Sequence, residues 1–439
     1  MNHAYLEHVK SLASVRYVGR VCTIAGAHIE CEGPLAKPGD ICEIAASDAG
    51  APVLAEVAAV RDTRVLLTLL THNGAIRPDA RVVLKPSKAR ASVGNGFGGR
   101  LVDAMGAPLD AGPAIIADTF AALDGAVLAP LARCDHSEVL VTGVRAIDAL
   151  TPIARGQRIG VFSASGVGKT TLMRQLLVNV ACDRRVLCLV GERGREVEHA
   201  WSVLDSRPDR DAFTLVSATS DVSPALRARA VQQALSLAEY WRDRGEHVLL
   251  VIDSITRYAM ALREIGLAAD LAPTARGYTA NVFAALPRVV ERGGASRAGG
   301  AITTVATVLS EGDDVDDPIV ETMKSLLDGH IVLSRRIAEQ GRYPAIDPLR
   351  SISRLASQIM SREHARAARR IVALTSAYEE ARILIESGLY KQGADKELDA
   401  AVAARPAIES LLAQPEDANY ALAHTLSQMH RIEAAHARP

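Results

Sequence analysis

The strongest constraint on the fold is a glycine-rich turn at residues 163–171, which lies between two apolar segments of different period. The run Ile159–Phe162 before it is typical of a buried strand, and the apolar residues after it recur at helical spacing. Such a turn curls the backbone until successive N–H groups point inward, and the helix that follows directs its positive end at the same place. The order of strand, turn and helix therefore predicts a phosphate-binding loop in an α/β domain.

The loop also contains the side chains that a magnesium nucleotide requires. Lys169 can reach the β- and γ-phosphates, and the hydroxyl of Thr170 can bind Mg²⁺. The usual pattern has glycine at its first position, where this chain has Ser163, but only a small residue is needed there. We therefore predict ATP and Mg²⁺ as ligands. The predicted nucleotide-binding residues of the loop are Ser165, Gly166, Val167, Gly168, Lys169, Thr170 and Thr171.

A second strand ends in a carboxylate that suits the magnesium ion. The apolar run Val248–Ile252 leads directly into Asp253. A buried strand of this kind delivers a carboxylate at its C-terminal tip, as in the Walker-B pattern, so we assign Asp253 to the Mg²⁺ shell. Apolar runs that end in aspartate are common in α/β proteins, and the assignment depends on the phosphate loop upstream.

A third strand, Val186–Val190, is followed by a group of charged residues. Glu192 lies at the tip of this strand, where its carboxylate can polarise a water molecule for hydrolysis. Arg193 can orient that water or the phosphate. The alternative is a solvated charge cluster at the start of a helix, where glutamate is favourable in any case.

The pattern of apolar and turn-forming residues along the chain predicts four segments. Residues 1–14 carry an apolar stripe at helical spacing, which either packs on its own domain or docks a partner. Residues 15–88 contain six short β-rich runs typical of a small β-barrel. Residues 89–361 include alternating strands and helices, which predict a parallel, doubly wound sheet with its ligand beyond the carboxyl ends of the strands. Residues 362–439 are predicted to be helical, with breaks at Gly388, Gly393, Pro406 and Pro415.

Charge and composition exclude several classes of partner. The chain has 50 Lys and Arg against 51 Asp and Glu, so no global attraction to nucleic acid exists. Aromatic residues make up 4%, which argues against a stacking platform for single strands. We see no signal-peptide pattern and no uncharged apolar stretch of ~18 residues, so we expect a cytoplasmic protein with at most peripheral membrane contact.

Eight further motifs resemble, in order, those of the flagellar and type III secretion ATPases, a family related to the subunits of rotary ATP synthases. The similarity extends from about residue 15 to the end of the chain. The motifs occupy residues 191–197, 252–259, 263–267, 283–288, 311–314, 327–331, 343–347 and 351–354.

The resemblance implies a RecA-like P-loop ATPase core with a parallel sheet, placed between an N-terminal β-barrel and a C-terminal helical domain. It also implies a homohexameric ring. Glu192 matches the catalytic carboxylate and Arg193 the arginine beside it. Tyr343 matches an aromatic that packs against adenine. Arg354 matches the arginine finger that acts on the γ-phosphate of the neighbouring subunit.

Further implications of the resemblance concern partners. The C-terminal end would contact a central stalk protein, and residues 1–14 would engage a peripheral stator or regulator. Chaperone–substrate complexes and an inner-membrane export gate would complete the apparatus, which places the ring at the inner face of the inner membrane. The segment 274–281 departs from the family pattern where we expect the ring's pore, so the resemblance assigns no contact to substrate or stalk there.

The function that the resemblance implies is hydrolysis of Mg-ATP to release chaperones and energise protein secretion. We favour the virulence injectisome, and the flagellar export ATPase is the alternative. A rotary ion-translocating ATP synthase subunit is a further alternative, which would form a ring only with a paralogous subunit. An RNA-translocating helicase is disfavoured by balanced charge and few aromatics, and a non-catalytic ring subunit is disfavoured by Glu192.

Overall fold

A computed structural model gives the fold of residues 17–25, 28–45, 51–70, 76–88, 90–125, 127–134, 138–310 and 317–436. The predicted helix at residues 1–14 and the motif at residues 311–314 lie outside these ranges. Across the described ranges, no helix is both long and apolar enough to cross a bilayer. The predicted architecture of barrel, parallel-sheet ATPase core and helical C-terminal region is confirmed, whereas the domain boundaries stay predictions.

The first six strands close into an antiparallel barrel in the order β1-β2-β5-β4-β3-β6. Alternate side chains point into its core, where Val21, Ile29 and Leu67 are almost fully buried. Closure leaves the barrel without a free edge. The strands are β1 Val18–Ala25, β2 His28–Glu32, β3 Asp40–Ile44, β4 Val53–Arg61, β5 Arg64–Leu69 and β6 Arg81–Lys88.

The ATPase core is a nine-stranded sheet in the order β19-β18-β12-β17-β15-β13-β14-β8, with β16 paired to β17. Its pairs are parallel except those of β16 and β19. The strands after the barrel are β7 Arg90–Val93, β8 Arg100–Val102, β9 Thr119–Ala122, β10 Val139–Leu140, β11 Ile153–Ala154, β12 Arg158–Ser163, β13 Arg184–Val190, β14 Phe213–Ala218, β15 His247–Asp253, β16 Gly294–Ala295, β17 Ala301–Leu309, β18 Gly329–Leu333 and β19 Ile352–Ser353. Strand β7 pairs with β9, and β10 pairs with β11, in two separate two-stranded sheets.

Helices cover both faces of the sheet. The described helices are α1 Arg145–Leu150, α2 Lys169–Asn179, α3 Gly194–Asp205, α4 Pro224–Arg242, α5 Ile255–Ala268, α6 Ala280–Glu291, α7 Pro318–Leu326, α8 Arg335–Glu339, α9 Ala356–Ile359, α10 Arg362–Glu380, α11 Arg382–Glu386, α12 Lys396–Leu412 and α13 Leu422–Ala435. Strand β15 shows how the two cores are filled. Its Val248, Leu250 and Ile252 pack with α4 to α7, and its Leu249 and Val251 pack with α2 and the C-terminal helices.

The prediction that Pro406 separates two helices is wrong, because this proline lies inside α12. Ala401 and Ala404 before it and Ile408 after it are buried in the same core. Packing on both sides of the proline therefore holds the two halves of the helix in line despite the missing backbone donor. Gly388 and Gly393 lie between α11 and α12, both with positive φ, and Pro415 lies between α12 and α13.

Candidate active site

The phosphate loop connects the carboxyl end of β12 to the first residue of α2, which is Lys169. Gly166 and Gly168 have φ of 81° and 91°, a left-handed conformation that favours glycine. A Cβ added to Gly166 would meet no atom within 4 Å, so the backbone conformation, not crowding, requires this glycine. The side chain of Val167 is buried beneath the loop. The loop is thus anchored in the core and open on its outer side.

Lys169 brings the two predicted carboxylates together. Its Nζ donates a hydrogen bond to Asp253 Oδ1 and lies 3.8 Å from Glu192 Oε1. Asp253 ends β15, Glu192 follows β13, and these strands are neighbours in the parallel sheet. Both acidic residues are only 5% exposed. A lysine and two carboxylates from three separate segments therefore meet at one buried point beyond the carboxyl ends of the strands.

The surroundings of Glu192 raise the pKa of its carboxyl group. Burial, followed by the negative charge of Asp253, raises the pKa of the Glu192 carboxyl to about 7, and the charges of Lys169 and Arg257 oppose this increase. A carboxylate with this pKa is balanced near neutral pH between a form that accepts a proton and one that cannot. This is the property that a general base needs.

Sequence reasoning gave no role to Arg257, although the structure places it at the site. Its Nη2 lies 3.4 Å from Glu192 Oε2, and its Nη1 donates to the carbonyl of Gly191 at 2.5 Å. Arg257 lies four residues after Asp253, in the first turn of α5. That spacing was a usable signal, because a helix beginning after the strand places such a residue one turn from the carboxylate.

Four further predicted residues lie on the phosphate loop, beside it or directly after Glu192. Tyr343 is 47% exposed, and its ring lies so close to the phosphate loop that a Cβ on Gly168 would be 3.5 Å from it. Thr170 is exposed in the first turn of α2, and Thr171 is partly buried beside it. Arg193 is exposed at the N-cap of α3, directly after Glu192.

Arg354 is the predicted residue that the structure does not bring to the cluster. It follows the antiparallel edge strand β19. The backbone N–H of Arg354 donates to the carbonyl of Asp328. The carboxylate of Asp328 in turn pairs with Arg158 at the start of β12. The Nη2 of Arg354 donates to the carbonyl of Lys324. Arg354 is therefore level with the amino end of β12, five residues or ~16 Å along the strand from Ser163.

Comparison with known proteins gives the family. Residues 143–353 match the ATP synthase alpha/beta family, nucleotide-binding domain, and residues 360–431 match the T3SS EscN ATPase C-terminal domain. The flagellum-specific ATP synthase of Treponema pallidum is 41% identical over 401 residues, which are 91% of this chain and 89% of that protein. The type 3 secretion system ATPase of Pseudomonas syringae pv. tomato is 41% identical over 430 residues, which are 96% of this chain and 94% of that protein. This chain belongs to the export ATPase family.

Solved structures of EscN, the ATPase of the type III secretion system of enteropathogenic E. coli, agree with this membership. The assembled EscN matches with a TM-score of 0.89 at 35% identity, over 94% of this chain and 99% of that chain. EscN in complex with its central stalk EscO matches with a TM-score of 0.85 at 34% identity and the same coverage. The predicted family and its ATP hydrolase activity are thus confirmed.

The residues of this export ATPase fit a magnesium nucleotide. The open side of the loop at Gly166 can admit a phosphate to the backbone N–H groups of the α2 N-terminus. No cluster of three or more metal-ligating side chains occurs in the part of the chain that the structure describes. Magnesium is typically held by one or two protein groups together with substrate phosphates and water, so Thr170 and Asp253 suffice for it.

Proposed function

We propose that this chain is the hydrolysing subunit of a homohexameric ring that energises a type III protein export apparatus. The observation that carries the proposal is the division of the site between two edges of the sheet. Lys169, Asp253 and Glu192 meet at the carboxyl edge, whereas Arg354 bonds a backbone carbonyl at the opposite edge. A neighbouring copy is then needed to bring Arg354 to the γ-phosphate, and a closed ring provides such a copy for every site.

Each residue of the proposed site has one task. Backbone N–H groups of residues 165–171 and the Lys169 ammonium bind the phosphates, and Tyr343 packs against adenine. Thr170 and Asp253 hold the magnesium ion, which neutralises charge on the β- and γ-phosphates when it is bound. Glu192 polarises the attacking water and accepts its proton, and Arg193 orients that water or the phosphate.

Mixed rings test whether Arg354 acts on a neighbour. We expect Lys169→Ala and Arg354→Ala rings each to be inactive, because one lacks the phosphate lysine and the other the finger. In a random equimolar mixture, about a quarter of the sites combine an intact loop with an intact neighbouring finger, so ATPase activity returns toward that fraction. Arg369→Ala, which changes an exposed arginine of α10, is the matched control and keeps full activity. No recovery at any mixing ratio would refute action in trans.

The choice between export systems requires a cellular experiment, because the flagellar and secretion relatives are equally similar at 41% identity. We keep the injectisome as the favoured system and the flagellum as its alternative. The gene for this chain is deleted, and one culture is scored for swimming motility and for its secreted proteins. Loss of filaments and motility assigns the chain to the flagellum, whereas intact motility with missing effectors assigns it to the injectisome. Survival of both would contradict a sole export role.

The proposed partners occupy different parts of the ring. EscN is known in complex with a central stalk, and the C-terminal region of this chain exposes three apolar side chains that suit such a contact. They are Ile383, Leu384 and Leu389, which are 77%, 43% and 69% exposed. Residues 1–14 remain the proposed contact for a peripheral regulator. Chaperone–substrate complexes and an inner-membrane gate are the proposed clients and destination, so the ring would work at the inner membrane face.

The second candidate is a subunit of a rotary ion-translocating ATP synthase, because residues 143–353 match the ATP synthase alpha/beta family. The two candidates differ in ring composition. An export ATPase forms its ring from this chain alone, whereas a rotary synthase alternates two paralogous subunits. Native mass spectrometry of the purified protein with ATP and Mg²⁺ distinguishes a homohexamer from a chain that assembles only with a paralogue.

A further inference from the structure

Thr307 lies beside the magnesium aspartate, and neither the sequence motifs nor the resemblance gave it a role. It belongs to β17, which lies between the phosphate-loop strand β12 and the Asp253 strand β15. The parallel register pairs Ala306 with Ile252 and Thr307 with Val161. One step further along both strands, Thr307 comes level with Asp253, so the register itself brings the hydroxyl to the carboxylate.

The contact is a short, fully buried hydrogen bond. Thr307 Oγ1 donates to Asp253 Oδ1 at 2.7 Å, and Thr307 is 0% exposed. The carbonyl of Ile252 is the competing acceptor at 3.4 Å. A hydroxyl has one proton, so the shorter bond to a charged acceptor takes it.

Both hydrogen bonds that reach the Asp253 side chain within the described residues end on the same oxygen. Lys169 Nζ and Thr307 Oγ1 both donate to Oδ1, and no residue in the described part of the chain donates to Oδ2. The terminal torsion of an aspartate is soft, so donors on one oxygen decide which way the other oxygen faces.

We propose that Thr307 is a positioning residue that fixes the rotation of the Asp253 carboxylate and leaves Oδ2 for the magnesium ion or its bound water. The proposal rests on the proposed function, because it needs Asp253 to serve the metal of a magnesium nucleotide. Groups that orient a metal-side carboxylate in this way typically change metal affinity or activity by about 10–100-fold when they are removed.

Thr307 suits this task better than Lys169. The lysine is a flexible point charge that the proposed mechanism also needs at the phosphates, so its bond to Asp253 competes with nucleotide. Thr307 is neutral and buried, and its strand is paired on both sides. Its hydroxyl therefore stays on Oδ1 whichever partner the lysine takes.

The chain offers a matched control on the same strand. The hydroxyl of Thr304 is also buried but has no hydrogen-bond partner among the described residues. Thr307→Val and Thr304→Val make the same chemical change three residues apart, and one of them removes a bond to Asp253. Thr307→Ser keeps the hydroxyl. Thr307→Ala also removes the hydroxyl and leaves a smaller side chain. It is used in place of Thr307→Val if the valine variant unfolds at a lower temperature than the wild type.

The test measures fluorescent ATP binding to the full-length protein at a series of Mg²⁺ concentrations, and then turnover. We expect Thr307→Val to need about 10–100-fold more Mg²⁺ for half-maximal tight binding, while binding without metal is unchanged. We expect Thr307→Ser and Thr304→Val to need the same Mg²⁺ concentration as the wild type for half-maximal tight binding. Turnover falls in Thr307→Val and is recovered in Thr307→Ser.

The proposal is overturned if Thr307→Val and Thr304→Val show the same magnesium dependence, or if Thr307→Val weakens binding equally with and without metal. These outcomes are separate from failure of the proposed function. A wild-type chain that binds ATP with magnesium but never hydrolyses it would refute the hydrolase mechanism and would leave the binding comparison decisive for Thr307.

Discussion

The raised pKa of Glu192 makes ATP hydrolysis dependent on pH in a predictable direction. In the proposed mechanism this group acts as a base, so only its ionised form is active, and we expect activity to rise with pH through about 7. An ordinary glutamate would be almost fully ionised at pH 6, and the rate would then be flat between pH 6 and 8. The slope in this range therefore reports the burial of Glu192 beside Asp253.

The size of the effect follows from the ionised fraction. At pH 6, one unit below a pKa of about 7, about a tenth of Glu192 is ionised, so the rate is about a tenth of its plateau. Arg257 lies 3.4 Å from Glu192 and favours the ionised form. A neighbouring positive charge lowers a carboxyl pKa by about 1 or more, so Arg257→Gln shifts the midpoint upward by about one pH unit.

The assay is kcat/KM for phosphate release, measured at Mg-ATP concentrations well below KM between about pH 5 and 9, because kcat/KM reports the pKa values of the free enzyme. Arg263→Gln is the matched control, because this arginine is on the same helix and is not among the charges that act on Glu192. Arg257→Gln can also lower the maximal rate for other reasons. The quantity compared is therefore the pH at the midpoint of each activity profile. A flat wild-type profile, or the same midpoint in wild type and Arg257→Gln, would refute the reasoning.

Three further predictions follow. Lys169→Ala removes the ammonium that bonds Asp253 and would bind the phosphates, so we expect ATP affinity to fall by about 10–100-fold in fluorescence titration. Arg354→Ala keeps nucleotide binding and loses turnover in the assembled ring, and unchanged turnover there would remove the finger assignment. Arg292→Met leaves the buried carboxylate of Glu239 without its partner, and it should lower the unfolding free energy in urea by about 3–5 kcal/mol, with partial recovery in Arg292→Met/Glu239→Leu.

Residues next to strand ends were predictable from the sequence. Each of Asp253, Glu192 and the phosphate loop follows an apolar run, and carboxyl ends of parallel strands share one edge of a sheet. That rule is sufficient to predict that these groups meet, and the structure brings Lys169 to both carboxylates.

Some residues reach the site only because of the pairing of two strands or the rotation of a helix about its axis. These residues were not predicted from the sequence. Thr307 is one of three threonines in β17, and nothing local distinguishes it until the pairing with β15 is known. Arg257 needed helix α5, whose apolar spacing at Ile255, Tyr258 and Ala259 was a signal that went unused. The place of β8 beside β14 also depends on register, because this pairing joins residues more than a hundred positions apart in sequence.

In the proposed mechanism, the sheet topology links hydrolysis to assembly. Strand β19 runs antiparallel to β18, so the residue that follows it points back toward the amino edge, while every parallel strand of the core delivers its residues to the carboxyl edge. A parallel β19 would place Arg354 on its own subunit's nucleotide side. In the proposed ring, the reversal of this one short strand makes each site depend on a second copy, because ~16 Å of strand separates the arginine from the loop of its own chain. In the proposed mechanism, an isolated subunit binds ATP with the groups at its carboxyl edge and lacks the Arg354 charge that a neighbouring copy brings to the γ-phosphate.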